Sequence, residues 1–202
     1  MKSTYEARAL KFARLLAILF ADCAYLADFE YAIECYNRTH SRKLTYAHGV
    51  SRIAIIRSDY VIKFDFIPTG SFSKGQAGNI DSELRVYSKA VADGMAHLLA
   101  KTTVGEYAGL KYAVMPRVNG INKEEWCWWE HCSADEYDWL SENVNDLHDG
   151  NLGYRHGKVC VIDYAWDAVD QPGQSSSSGF SWNESPETSS DSLTSAFSGA
   201  NW

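Results

Sequence analysis

The sequence predicts an α+β protein, and three observations lead to this fold class. Residues 4–36 carry apolar side chains at helical spacing, and a second helical pattern begins near Asp81. Short runs rich in β-branched and aromatic residues lie within 44–66 and 104–118. The chain of 202 residues is 46% hydrophobic, so it can bury a core. We expect four segments: a helical extension (1–40), a β-rich unit (41–118), a reduced helical unit (119–170) and a tail (171–202).

The composition indicates the cellular compartment and excludes some classes of binding partner. A net charge of −7 argues against binding to nucleic acid or to an anionic membrane, because both need basic surfaces. The apolar run 15–20 is too short for a signal peptide, and Asp22 stands before Cys23, where a lipoprotein signal needs a small residue. Five Cys, an odd number without framework spacing, indicate reduced thiols in a cytoplasmic protein.

The helical region at the start of the chain has an apolar face and a more solvent-exposed, acidic face. Its apolar positions include 12, 15, 16, 19 and 20. A helix or helix pair of this kind packs on the next unit of the chain. A surface for a partner protein is the alternative.

Four strands and one helix are expected in the β-rich unit. Strands at 53–56 and 60–64 flank a turn, and a strand pair over 104–118 ends at Pro116, which has no N–H to donate. Between these strands a helix is expected from Asp81, with Asp81-Ser82 as its cap. Asn119-Gly120 predicts a turn after the last strand.

Residues 124–144 predict a helix with an aromatic face. Cys127 and Cys132 suggest zinc, but the second pair of ligands that a zinc site needs is missing, so a core helix is favoured. The tail 171–202 is Ser-rich with few apolar residues, and we expect it to be disordered.

The most informative stretch is 145–163, which begins Asn-Asp-Leu-His-Asp-Gly-Asn and ends Val-Cys-Val-Ile-Asp. Its last apolar run predicts a buried strand that presents Asp163 at its end. Asp146, Asn151 and Asp163 offer the hard oxygen ligands that Mg²⁺ prefers. The simpler interpretation, an acidic hairpin with Asp and Asn as turn residues, remains open.

These residues resemble the catalytic and metal-binding loops of the protein-kinase-like superfamily. The resemblance implies that Asp146 is the catalytic base and that Asn151 and Asp163 are metal ligands. A histidine two residues after the aspartate, as His148 follows Asp146, is found in aminoglycoside-type phosphotransferases and in the early serine/threonine kinases of T7-like phages. The resemblance implies that His148 either contacts the γ-phosphate or braces the loop.

Weaker matches extend the resemblance upstream, over roughly 44–166. Lys63 resembles the strand lysine that holds the α- and β-phosphates, and Glu83 resembles the helix glutamate that pairs with it. The resemblance also implies a nucleotide pocket, and its expected residues are Gly49, Lys63, Met115 and Val118. The implied fold is a reduced two-lobed kinase with an N-terminal helical extension and a truncated C-terminal lobe.

The implied activity is ATP- and Mg²⁺-dependent phosphorylation of Ser or Thr in a protein, either a host target or the chain's own tail. The expected setting is a phage protein in the host cytoplasm, with a protein partner and an undetermined oligomeric state. Depleted glycines over 47–54, Asn145 for Arg and Ala165 for Gly favour a pseudokinase that inhibits a host protein without catalysis. A small-molecule kinase is a third alternative, supported by His148.

Overall fold

The structure is a computed structural model of an α+β protein, which confirms the predicted class at this level. The residues that it describes are 4–67, 69, 79–120, 131–144, 147–155 and 157–164. Within those ranges, none of the helices has both the length and the apolar character needed to cross a bilayer.

Four α-helices are present in the described parts of the chain: α1 (Thr4–Leu19), α2 (Leu26–Thr39), α3 (Ile80–Ala92) and α4 (Ala134–Asn143). The first five strands are β1 (Thr45–His48), β2 (Arg52–Ile56), β3 (Tyr60–Asp65), β4 (Thr103–Tyr107) and β5 (Leu110–Pro116). Three short strands follow: β6 (Asn119–Gly120), β7 (Leu152–Arg155) and β8 (Lys158–Val161). Short 3₁₀ turns occupy Ala96–Leu98 and Asp149–Asn151.

Strands β1 to β5 form an antiparallel sheet in the order β1-β2-β3-β5-β4. Helices α1 and α2 cover one face of this sheet, as expected for the start of the chain. Phe20 between the helices packs against Phe29 of α2 and Phe64 of β3, with ring centroids 5.0 and 5.2 Å away. Glu6 of α1 is buried and accepts hydrogen bonds from Lys101 and Thr103, which ties the helix to the start of β4.

The opposite face of the sheet carries the polar residues. Because side chains alternate along a strand, burial of Ile53 and Ile62 against the helices turns Arg52 and Lys63 to the other face. Asp65 lies on this face too, directly opposite Arg52 in the β2–β3 register. One β-hairpin therefore places two cations and a carboxylate together.

Helix α3 begins earlier than the sequence predicts. Its N-cap is Asn79, whose side-chain oxygen accepts a hydrogen bond from the Ser82 N–H at 2.9 Å, so the predicted Asp81-Ser82 cap is wrong. Asp81 and Glu83 lie in the first turn instead, where negative charge interacts favourably with the helix dipole.

Strands β6, β7 and β8 form a second antiparallel sheet. Asn119 and Gly120 belong to β6, which corrects the predicted turn. Gly153 lies within β7, where a Cβ would come within 2.2 Å of Val118. Close packing between strands explains this glycine. Gly157 does form the turn between β7 and β8, with φ of +75°.

Several predicted features lie outside the described residues. They are the first part of the helix over 124–144 with Cys127, most of the loop over 66–78, Asn145, Asp146, Ala165 and the tail over 171–202.

Candidate active site

Lys63 lies at the centre of the polar face. Its neighbours across the ladder are Ala54 of β2 and Ala113 of β5, and these small side chains leave room for the lysine stem. The side chain is 8% exposed. Its Nζ donates to Oε1 of Glu83 and to the backbone oxygen of Ile162, both at 2.8 Å. The expected pairing of Lys63 with Glu83 is therefore present, whereas a role for the pair in catalysis stays a prediction.

Glu83 is completely buried in the first turn of α3. A buried carboxylate is costly unless it is paired, and Lys63 supplies the partner charge. Its second oxygen, Oε2, lies 3.7 Å from Nη1 of Arg52, and neither atom has a hydrogen-bond partner. The helix is thus held to the sheet through one carboxylate between two cations.

Asp163 follows β8 and brings the second sheet to the same place. Its Oδ1 lies 3.9 Å from Nζ of Lys63, and the side chain is 40% exposed. Nη2 of Arg52 also donates a hydrogen bond to this oxygen. Charged side chains from β2, β3, α3 and the segment after β8 therefore form one cluster.

The backbone around Asp163 is fixed on both sides. Before it, the N–H of Ala100 donates to the oxygen of Val161 at 2.8 Å. After it, the buried hydroxyl of Tyr164 donates to the oxygen of Ala100 and lies 2.6 Å from Oγ1 of Thr102. Burial raises the pKa of Tyr164 well above its ordinary value, so the hydroxyl keeps its proton. These bonds set the position from which the carboxylate projects.

The loop before β7 braces itself and meets the same segment. The N–H of Gly150 donates to Nδ1 of His148 at 3.0 Å, and the N–H of Asn151 donates to the backbone oxygen of His148 at 2.9 Å. The backbone oxygen of Asn151 accepts from the N–H of Ile162 at 2.8 Å. Asn151 therefore lies beside the residue that precedes Asp163, while Asp146 is outside the described residues.

Arg52 is the residue that sequence reasoning missed. Its side chain is only 12% exposed although its guanidinium is charged. Burial disfavours that charge, but Asp163 and Glu83 outweigh burial and hold the pKa of Arg52 above its ordinary value. The available signal was the alternation in Arg-Ile-Ala-Ile-Ile, which places Arg52 on the face of Lys63 once Ile53 is assigned to the core.

Asp65 adds a further carboxylate to this face. Its Oδ2 accepts a hydrogen bond from the N–H of Ile80 at 3.0 Å, and its Oδ1 is buried without a hydrogen-bond partner. Burial raises the pKa of Asp65 to about 6. It links the end of β3 to the start of α3, which carries Glu83.

The remaining predicted nucleotide-binding residues are ordinary parts of the fold. Gly49 closes the turn between β1 and β2, and its N–H donates to the oxygen of Arg52 at 2.9 Å. Met115 is buried in β5, on the face that carries Lys63. Val118 is buried with Ala100 and belongs to a separate small cluster. A contact of these residues with a nucleotide stays a prediction.

The donor set fits a phosphate group better than a preformed metal cage. Lys63 and Arg52 provide two adjacent cations, and the oxygens of Asp163 and Asn151 are of the type that Mg²⁺ accepts. In the described part of the chain, no three His, Cys, Asp or Glu side chains gather as a metal centre would require. Magnesium that shares its ligands with a nucleotide is consistent with this arrangement, because it usually needs only one or two protein carboxylates.

No protein-family model matches the chain, and no curated protein matches it. Among solved structures, the chain is similar to WbdD in a co-crystal structure with a kinase inhibitor. The TM-score is 0.38 and the identity is 17%, over 61% of this chain and 32% of that chain. The chain thus spans about a third of the length of that protein.

Proposed function

We propose that this chain is an ATP- and Mg²⁺-dependent phosphotransferase with a reduced protein-kinase-like architecture. In this proposal β1 to β5 with α3 form the nucleotide-binding lobe, and the described elements after β5 form a shortened second lobe. The observation that carries the proposal is the buried ion pair between Lys63 and Glu83, at 2.8 Å, with Asp163 3.9 Å from the same ammonium. A strand lysine, a helix glutamate and an aspartate after a later strand are the three parts that position phosphates in kinases.

Each residue then has one task. Lys63, held in place by Glu83, binds the α- and β-phosphates. Asp163 and Asn151 hold Mg²⁺, which neutralises charge on the phosphates when it is bound. Asp146 aligns the acceptor hydroxyl and accepts its proton. The hydrogen bond from Gly150 to His148 favours the bracing role for that histidine.

The proposed acceptor is the hydroxyl of Ser or Thr in a protein. The chain's own tail offers eleven Ser over 171–202, tethered at high effective concentration. By analogy between families, the small acidic chain and the His148 form of the loop favour a phage protein that acts on a host protein in the host cytoplasm.

A second candidate is a pseudokinase that binds a host protein without chemistry. One observation favours it: Arg52 already donates a hydrogen bond to Asp163, the carboxylate assigned to the metal. A guanidinium that permanently neutralises this carboxylate would remove the metal site and leave a nucleotide-binding or purely structural module.

Phosphoryl transfer from γ-labelled ATP with Mg²⁺ tests the proposal. Wild-type protein is compared with Asp163→Asn and with Asp81→Asn, in the presence and absence of host lysate. Asp81 is a matched control, because it is an exposed aspartate paired with Lys111 on the surface of α3. We expect label on the tail or on lysate proteins with wild type and Asp81→Asn, and none with Asp163→Asn.

The other outcomes are also informative. Thermal stabilisation by ATP without any label identifies the pseudokinase. Equal labelling by wild type and Asp163→Asn contradicts the metal assignment. If ATP produces no thermal stabilisation and no label appears, nucleotide chemistry at this site is rejected.

A further inference from the structure

The guanidinium of Arg52 lies between two carboxylates that come from different parts of the chain. Nη2 donates to Oδ1 of Asp163, and Nη1 lies 3.7 Å from Oε2 of Glu83. Nη1 is buried without a hydrogen-bond partner, and so is Oε2 of Glu83. The guanidinium of Arg52 therefore makes a hydrogen bond with Asp163 but none with Glu83.

Glu83 does not depend on Arg52 for its charge balance. Its other oxygen already receives the ammonium of Lys63 at 2.8 Å, from a side chain that is 8% exposed. Asp163 is different, since Lys63 is 3.9 Å away and the guanidinium is its closer cation. The strongest contact of Arg52 is thus directed at the carboxylate that a metal would need.

The two cations of this cluster already have carboxylate partners. Arg52 and Lys63 contribute two positive charges, Glu83 and Asp163 contribute two negative charges, and Asp65 is a further carboxylate opposite Arg52. A divalent cation brought to Asp163 would meet both existing cations within a few ångströms. At an effective dielectric constant of about 20, each such repulsion amounts to several kcal/mol. The metal can bind tightly only if one cation moves away.

We propose that Arg52 is an internal competitor for the divalent cation and that metal binding at Asp163 requires its guanidinium to be displaced. This inference rests on the proposed function in assigning Asp163 as the metal ligand. Arg52 reaches Asp163 from the buried side, whereas 40% of the Asp163 side chain is open to solvent. The ion approaches from solvent, and the guanidinium retreats towards Glu83, whose Oε2 can accept the hydrogen bond that it now lacks.

Mn²⁺ titrated alone, followed by its electron paramagnetic resonance signal, measures this competition without nucleotide or catalysis. Arg52→Met replaces the competing charge by a neutral, unbranched side chain. Arg52→Lys keeps the positive charge but lacks the two-pronged guanidinium. Arg38→Met is the control, because it removes an exposed arginine that pairs with Glu34 on α2. We expect Mn²⁺ to bind Arg52→Met roughly tenfold more tightly than wild type or more, with Arg38→Met unchanged and Arg52→Lys between them.

An affinity of Arg52→Met equal to or weaker than that of wild type overturns the inference. If Arg52→Met does not unfold cooperatively, it has lost its native fold, and the competition is measured on the wild-type protein instead. The ¹⁵N–H signal of the Arg52 guanidinium, assigned by its loss in Arg52→Lys, should shift as Mg²⁺ is added. A signal that stays in place at saturating Mg²⁺ also overturns the inference.

The result separates this inference from the proposed function. Phosphoryl transfer by wild type with an unchanged Mn²⁺ affinity in Arg52→Met rejects only the competition. Tighter Mn²⁺ binding by Arg52→Met without phosphoryl transfer by wild type supports the competition and rejects the kinase assignment.

Discussion

Nζ of Lys63 lies 2.8 Å from Oε1 of Glu83, and both side chains are buried although they are 20 residues apart in sequence. The pair joins the central strand of the larger sheet to the first turn of α3. The backbone oxygen of Ile162 accepts a second hydrogen bond from the same ammonium, also at 2.8 Å. One lysine therefore fixes the positions of a helix and of the segment that leads to Asp163.

Lys63→Met should lower the free energy of unfolding by about 3 kcal/mol, because it leaves Glu83 buried without its closest cation. Urea unfolding measures the loss. Lys111→Met, which breaks an exposed pair with Asp81, should cost less than about 1 kcal/mol. The double variant Lys63→Met/Glu83→Leu should recover part of the loss, since the carboxylate is then removed together with its cation and Arg52 keeps its hydrogen bond to Asp163. Equal effects of Lys63→Met and Lys111→Met would contradict a buried pair.

Tyr164→Phe should destabilise the protein by about 2 kcal/mol, because the oxygen of Ala100 and the hydroxyl of Thr102 lose a buried partner. Thermal or urea unfolding provides the measurement. Tyr107→Phe is the control, since Tyr107 is 44% exposed in β4. If both variants have wild-type stability, Tyr164 does not anchor the segment that presents Asp163.

Much of the fold was predictable because its signals are local. Ile53 to Ile56 and Tyr60 to Phe64 are β-rich runs on either side of a three-residue turn, and they form β2 and β3 as expected. Alternation along β3 then decides which face carries Lys63. The position of Glu83 on the first turn of a following helix was likewise predictable from its spacing and the expected helix start.

What failed depended on contacts between distant parts of the chain. Asn119-Gly120 has turn composition, but pairing with β7 makes it a strand. The closeness of Val118, which no local pattern shows, requires the glycine at 153. Arg52 was missed because the register of β2 with β3 and the arrival of Asp163 from 111 residues away together define its role. No local pattern contains that information.

Asp65 should make stability fall as pH rises through the weakly acidic range. Burial raises its pKa from 3.8 to about 6, so the native state retains a proton that the unfolded chain releases. The resulting stabilisation is complete below pH 4 and is lost as the pH rises through about 6. The stability of wild type minus that of Asp65→Asn, measured by unfolding at several pH values, should decrease between pH 4 and 7. A difference that is constant or increases would contradict this pKa.

Gly153→Ala should destabilise the protein by about 1–3 kcal/mol. The added methyl group would lie 2.2 Å from Val118 and 2.9 Å from the backbone oxygen of Asn119. Gly49→Ala is the matched control, because a Cβ there has no heavy atom within 4 Å. Chemical unfolding of both variants measures the difference, and a Gly153→Ala variant as stable as Gly49→Ala would show that β6 and β7 do not pack this closely.

In the proposed function, the ammonium of Lys63 faces the phosphates of a bound nucleotide. An ATP derivative with an acyl group on its terminal phosphate tests it, because an amine next to the phosphates attacks the acyl carbon and forms an amide while ATP leaves. Peptide mass spectrometry then locates the modified lysine. The exposed Lys111 reports the background reaction.

We expect Lys63 to be acylated at low reagent concentration and to be protected by excess ATP with Mg²⁺, whereas Lys111 should not be protected. Acylation of Lys63 that is absent, or that is as slow as that of Lys111 and insensitive to ATP, would contradict a nucleotide site at this lysine.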